Sequence, residues 1–114
     1  MTQVPAVEVR FKDLHPDESL RERIERRCRE LAEDFPETTH IEITFAPEGD
    51  EFSAHGHVLG KRTEAATSAT ASELFPAADR LFERLVKQLR RSHDKRIFVQ
   101  RRDAQRNSPK KTPS

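Results

Sequence analysis

Hydrophobic and polar residues alternate in four segments of the chain, and each segment predicts a β-strand. These segments are residues 4–12, 40–45, 52–59 and 63–70. In the first, Val7, Val9 and Phe11 alternate with charged residues, as expected for a strand with one buried face. The fourth consists mainly of Thr, Ala and Ser. Its small side chains fit either close packing under a helix or a place at the edge of a sheet.

Two further segments repeat apolar residues every three or four positions, which predicts amphipathic helices. The first stripe is formed by Leu20, Ile24, Cys28, Leu31 and Phe35. Asp17 is a suitable N-cap for this helix of about 17 residues, and Pro36 ends it. The second stripe is formed by Leu74, Ala78, Leu81, Leu85 and Leu89. We expect this helix to run from about residue 73 to about residue 95, with Pro76 in its first turn.

The predicted order β-α-β-β-β-α indicates an α+β fold, in which two helices cover one face of a four-stranded sheet. The other face would be solvated, and the side chains expected there are those of Glu8, Arg10, Glu42, Thr44, His55 and His57. Residues 1–98 would form this domain. Residues 99–114 are rich in Arg, Gln, Ser, Pro and Lys without periodicity, which predicts a basic, disordered tail.

The composition indicates one small domain with a thin core, because only 33% of the 114 residues are hydrophobic and 36% are charged. No apolar run approaches the roughly 20 residues that span a bilayer. The N-terminus also lacks the pattern of a secretory signal. We therefore expect a cytoplasmic protein without a membrane partner. The single cysteine excludes an internal disulfide, and Cys28, within the first helical stripe, is expected to be a small buried hydrophobe.

A net charge of +1 conceals a strong polarity along the chain. Residues 37–60 contain five acidic residues and no Lys or Arg, whereas residues 61–114 contain fourteen basic and six acidic residues. Such asymmetry suggests a polyanionic partner. A solvated helix face followed by a flexible tail is the alternative interpretation.

Five cations lie on one face of the second helix, opposite its apolar stripe. This basic ridge consists of Arg80, Arg84, Lys87, Arg91 and Lys95. Its members fall within about 80° of one another and span ~22 Å. Aligned cations repel one another unless anions neutralise them, and a ladder of phosphates would do so. Asp79 and Glu83 fall to one side of the basic ridge.

The first helix has a weaker cationic flank, formed by Arg23, Arg26 and Arg27. Glutamates adjoin it, so salt bridges within the helix are nearly as good an interpretation as a binding surface.

No pattern of catalytic residues is present in the sequence. There is no glycine-rich phosphate loop and no recognisable nucleophile with its base, so we expect neither an enzyme nor a small-molecule substrate. His55 and His57 point to the same strand face, but without an evident third ligand we expect no metal and no cofactor. The absence of Tyr and Trp argues against a sheet that stacks single-stranded bases. Recognition of folded RNA by the basic ridge fits better.

Residues 73–91, ELFPAADRLFERLVKQLRR, resemble the second helix of the ribosome hibernation-promoting factors. This family includes ribosome-associated translation inhibitors and was formerly called the sigma-54 modulation proteins. Arg84, Leu85, Lys87, Gln88 and Leu89 match its pattern, while Phe75 replaces the usual Tyr and Ala78 the usual Ile. Residues 18–26 similarly resemble the start of its first helix. The resemblance covers about residues 5–95, although residues 67–72 lack the usual acidic residues.

The resemblance implies a factor that binds small-subunit rRNA in the channel for mRNA and tRNA and stalls translation under stress. By position, the rRNA contacts would be Arg23, Arg26 and Arg27 on the first helix and Arg80, Arg84, Lys87 and Arg91 on the second. The basic ridge adds Lys95. We expect a monomeric short form without the C-terminal dimerisation domain of some members. The alternative is a protein-interaction module that docks an acidic partner through the second helix.

Overall fold

The computed structural model describes the backbone of residues 5–106 and the side chains of residues 5–92. Its elements are β1 (Ala6–Phe11), α1 (Glu18–Asp34), β2 (Thr38–Glu48), β3 (Glu51–Gly60), β4 (Thr63–Ala71) and α2 (Leu74–Arg106). The predicted order β-α-β-β-β-α and the α+β class are confirmed.

The four strands form one mixed sheet in the order β1-β2-β3-β4. β1 is parallel to β2, and α1 supplies the crossover between them. β2, β3 and β4 are joined by antiparallel hairpins. The first hairpin turns at Gly49, whose φ of 62° lies in the left-handed region that glycine adopts at little cost. β1 and β4 are therefore the two edges of the sheet.

The boundaries of α1 follow from its sequence. The side chain of Asp17 accepts a hydrogen bond of 3.1 Å from the backbone N–H of Leu20, which satisfies one of the free donors of the first turn. The helix ends at Asp34, and the N–H of Phe35 donates to the carbonyl of Leu31. Pro36 then disfavours a further helical turn. The predicted N-cap and helix length are confirmed.

Both helices pack on the same face of the sheet and share one core with it. From the sheet, the core includes Val9, Ile41, Ile43, Phe45 and Val58. From the helices, it includes Leu20, Ile24, Leu31, Leu81, Phe82, Leu85 and Leu89. The two apolar stripes that predicted the helices are therefore the surfaces that cover one face of the sheet.

Gly56 allows α2 to lie close to the middle of the sheet. A Cβ atom at this position would lie 2.9 Å from Leu85 Cδ1 and 3.1 Å from Leu81 Cδ2. Both distances are shorter than ordinary carbon contacts, so the glycine sets the closest approach between α2 and β3.

Cys28 is fully buried in α1. Burial is the main cause that raises the pKa of its thiol to about 12, with a smaller contribution from Glu25. The thiol is therefore protonated at neutral pH and behaves as a small core residue, as predicted.

The second helix is longer than predicted, since it ends at Arg106 rather than near residue 95. Between Ala77 and Ser108 the sequence contains neither glycine nor proline, and Arg, Gln and Ala are good helix formers. The apolar period fades in this part of the sequence, but loss of that period does not by itself end a helix. The boundary predicted between residues 98 and 99 thus falls inside α2, and residues 107–114 of the predicted tail lie outside the described residues.

We predict that Gly56→Val lowers the free energy of unfolding by about 1–3 kcal/mol, because the added methyl groups force Leu81 and Leu85 away from the sheet. Urea unfolding measures the change. The matched control is Ala66→Val on β4, whose side chain is exposed and where we expect a change within about 0.5 kcal/mol. Equal stability of the Gly56 variant and the parent would contradict the close approach.

Candidate nucleic-acid interface

Two arginines of the basic ridge contact the free edge of the sheet. Arg80 Nη1 donates a hydrogen bond of 2.7 Å to the backbone carbonyl of Thr70, and Arg84 Nη1 donates one of 2.6 Å to that of Ser68. These carbonyls lie two residues apart on β4, and the arginines lie four residues apart on α2. Side chains one turn apart on α2 thus reach carbonyls two residues apart on β4.

Gln88 continues this pattern one turn further along α2. Its Nε2 donates to the carbonyl of Ala66 at 3.2 Å, and its Oε1 accepts from the N–H of the same residue at 3.1 Å. The opposite edge of the sheet has a similar contact, because Arg21 Nη1 of α1 donates to the carbonyl of Val9 at 3.2 Å. Helix side chains therefore form hydrogen bonds with backbone groups at both edges of the sheet. Without such bonds, an edge strand could pair with a strand of another chain.

The basic ridge is consequently divided into two parts. Arg80 and Arg84 are exposed and keep their charge, but each uses one N–H donor on β4. Lys87 and Arg91 are exposed, and within residues 5–92 neither forms an ion pair or a side-chain hydrogen bond. Lys95 lies in α2, but its side chain is outside the described residues. Among the described side chains, Lys87 and Arg91 are thus the ridge cations without a polar contact.

Two of the three arginines predicted on α1 face α2. Arg23 Nη2 and Arg27 Nη1 lie 3.4 Å and 3.3 Å from the same carboxylate oxygen, Oδ1 of Asp79. They therefore form ion pairs, although with α2 and not with the glutamates of their own helix. Arg26 is exposed and has no ion pair among the described side chains.

Aromatic rings support the same two arginines. The guanidinium carbon of Arg23 lies 5.5 Å from the centroid of the Phe75 ring, and that of Arg27 lies 4.9 Å from the centroid of Phe82. A guanidinium over a ring face gains a cation–π attraction and loses rotational freedom. The α1 arginines are therefore held in place between a carboxylate and the rings of α2.

Sequence reasoning did not assign a role to Asp79 or Gln88. Gln88 was detectable in principle, since it follows Arg84 by four residues and so shares its helix face. Asp79 was placed beside the basic ridge, but its partners are more than fifty residues away in the chain. No spacing rule within one helix reveals such a pair.

The uncovered face of the sheet has a different chemistry. His57 Nε2 lies 2.7 Å from Glu64 Oε2, while Arg10 and His40 each lie 3.8 Å from Glu42 Oε1. The polar residues predicted on this face are exposed or half-buried, as expected. His55 and His57 border a shallow depression of about 510 Å³ here. Within the described residues, no three His, Cys, Asp or Glu side chains are placed to hold a metal ion.

Neither helix, as far as the described residues extend, contains an apolar stretch long enough to cross a bilayer. The fold and its surface instead define a small α+β module that presents cations on its helices and a mixed, partly acidic surface on the open side of its sheet.

The chain belongs to the family described as sigma 54 modulation protein / S30EA ribosomal protein, whose model matches residues 7–97. This confirms the resemblance seen in the sequence of the second helix. The description of the family names a ribosomal protein and not a class of enzymes. None of the curated protein sequences matches the chain significantly.

Two solved structures share the fold. One is described as a ribosomal subunit interface protein from Coxiella burnetii, with 18% identity, a TM-score of 0.68, and coverage of 78% of this chain and 98% of that chain. The other is the N-terminal domain of Protein Y from Thermus thermophilus, with 17% identity, a TM-score of 0.68, and coverage of 77% and 98%.

We predict that replacing Arg84 and Gln88 together by alanine exposes the edge of β4. Loss of their hydrogen bonds should lower the free energy of unfolding by about 1 kcal/mol. The freed backbone groups should also promote self-association at high concentration. Chemical unfolding and sedimentation velocity measure the two effects. Lys87→Ala is the control, because its exposed side chain forms no hydrogen bond with a strand in the described residues. Identical behaviour of both variants would contradict a protective role.

Proposed function

We propose that this protein binds the small ribosomal subunit and inhibits translation as a hibernation factor. The basic surface of α1 and α2 contacts phosphates of the rRNA, and the domain occupies the channel that otherwise holds mRNA and tRNA. Family membership supports a role on the ribosome. The fold shared with the ribosomal subunit interface protein from Coxiella burnetii is consistent with that role.

The exposed cations of the two helices carry this proposal. Arg26, Lys87 and Arg91 have no ion-pair partner within the described side chains, and Arg80 and Arg84 keep their positive charge although they contact β4. A surface with uncompensated cations is stabilised when phosphates replace its counterions. Arg23 and Arg27 extend this surface onto α1.

Inhibition in this mechanism is competitive and involves no catalytic step. A domain lodged in the channel excludes mRNA and tRNA for as long as it stays bound, and the released ribosome is unchanged. We accordingly propose that the protein acts in the cytoplasm as a monomer, without a cofactor, and stalls translation under stress. Because phosphate contacts dominate the affinity, binding weakens steeply with salt.

An acidic protein is the second candidate partner. The ammonium group of Lys87 is a point charge that attracts a carboxylate as well as a phosphate. This alternative predicts that the protein does not sediment with ribosomes at any salt concentration.

Sedimentation with purified small subunits at several salt concentrations tests the proposal. With about five phosphate contacts, the slope of log K against log salt should be roughly −4. Excess mRNA and tRNA bound to the subunits should displace the protein, and co-binding of all three would exclude the channel as its site. Absence of sedimentation at low salt would leave the acidic-partner alternative.

We predict that Lys87→Glu weakens binding to small subunits roughly tenfold or more, because it replaces an attractive phosphate contact by a repulsive one. The matched control is Lys12→Glu, which makes the same change in net charge beside β1, at the sheet edge remote from β4. The control should bind almost as well as the parent. Equal losses in the two variants would show that only net charge matters and that the basic ridge is not the contact.

A further inference from the structure

Asp79 places a negative charge inside the cationic surface. Its side chain is 43% exposed, and its Oδ1 atom receives Arg23 at 3.4 Å and Arg27 at 3.3 Å. For a surface that binds phosphates, a carboxylate at this position is unfavourable by charge alone. Its presence calls for a role that outweighs the repulsion.

The two ion pairs connect the helices. In the described part of the chain they are the only salt bridges between α1 and α2. A further ion pair of α1 joins Arg21 to Glu18 within the same helix. Asp79 therefore fixes the position of the α1 arginines relative to the cations of α2.

Among the described residues, the remaining donors of these arginines form no other hydrogen bond, so they can bind a ligand. A guanidinium carries five N–H donors in one plane, and Asp79 accepts one from each arginine. Phe75 and Phe82 lie against the two groups and limit their rotation. Arg23 and Arg27 are 49% and 33% exposed, so a phosphate can reach them from solvent.

We propose that Asp79 is a positioning residue for RNA binding, a proposal that rests on the proposed function. It holds Arg23 and Arg27 in an ordered arrangement, so that α1 and α2 together contact phosphates of one folded RNA. Ordering these two long side chains in advance avoids the loss of entropy that binding would otherwise impose. The RNA feature that fits is a pair of neighbouring backbone segments, one along each helix.

This role and simple electrostatics predict opposite signs. If Asp79 acts only as a charge, its removal reduces repulsion and tightens RNA binding. If it positions the arginines, its removal weakens binding although the protein becomes more positive. The salt dependence distinguishes the two as well, since losing the ordered arginines reduces the number of phosphate contacts.

The test measures binding to small ribosomal subunits by sedimentation across a series of salt concentrations. The variants are Asp79→Asn, which keeps the shape and removes the charge, and Asp79→Glu, which keeps the charge. Glu83→Gln is the matched control, because Glu83 is an exposed acid one turn along α2 without an ion-pair partner in the described residues. Urea unfolding of each variant reports its stability separately.

We expect Asp79→Asn to weaken binding about three- to tenfold and to reduce the salt slope by about 1 to 2, as each lost phosphate contact lowers it by about 1. Asp79→Glu should recover most of the affinity, and Glu83→Gln should bind as tightly as the parent or more tightly. In a protein that already carries Arg23→Ala and Arg27→Ala, Asp79→Asn should no longer weaken binding.

Unchanged or tighter binding by Asp79→Asn, with Lys87→Glu still weakened, would overturn the positioning role and leave the proposed function intact. Weakening that persists in the protein lacking both arginines would also overturn it, since Asp79 would then act through other groups. Failure of the parent protein to bind small subunits would remove the proposed function and this inference together.

Discussion

The structure depends on one constraint, which is that a four-stranded sheet is covered by helices on only one of its faces. The apolar stripes of α1 and α2 must point to the sheet to bury Ile41, Ile43 and Phe45. Their polar faces then have to lie at the flanks of the sheet or on the outside of the molecule. The positions of the cations therefore follow from the packing of the core. Residues at the flank meet the backbone of an edge strand, residues between the helices meet each other, and only the outermost ones remain without partners among the described side chains.

One residue type, arginine, consequently serves three purposes here. Arg84 donates to the backbone of β4, Arg27 is held between Asp79 and an aromatic ring, and Arg91 extends into solvent without an ion pair among the described side chains. The guanidinium group suits all three, since it carries several donors and a fixed charge on a plane that stacks well. Loss of positive charge alone is thus a poor guide to the effect of replacing any one of them.

The sequence was most informative where a single element determines its own structure. The N-cap at Asp17, the end of α1 before Pro36 and the strands with a period of two depend on neighbours close in the chain, and each was predictable. The end of α2 was placed too early, because fading apolar periodicity does not by itself mark the end of a helix. Of the candidate site, the helical face was predictable from spacing. The sequence did not show which of these cations contact other parts of the protein. Arg84 contacts β4 and Arg27 contacts Asp79 only because elements distant in the chain pack together.

The hydrogen bonds from α2 to β4 also bear on how such a protein can change in evolution. Edge strands commonly protect themselves with their own lysines, prolines or bulges. Here β4 carries mainly Thr, Ala and Ser, and its protection is supplied by side chains of another element. Insertion or deletion of one residue in α2 would rotate the following side chains by about 100° around the helix axis. The donors would then no longer reach the strand, even if the core tolerated the change. We therefore expect the residues of β4 and α2 to vary together among relatives. The side chains of the helix keep the edge of the strand from pairing with another chain.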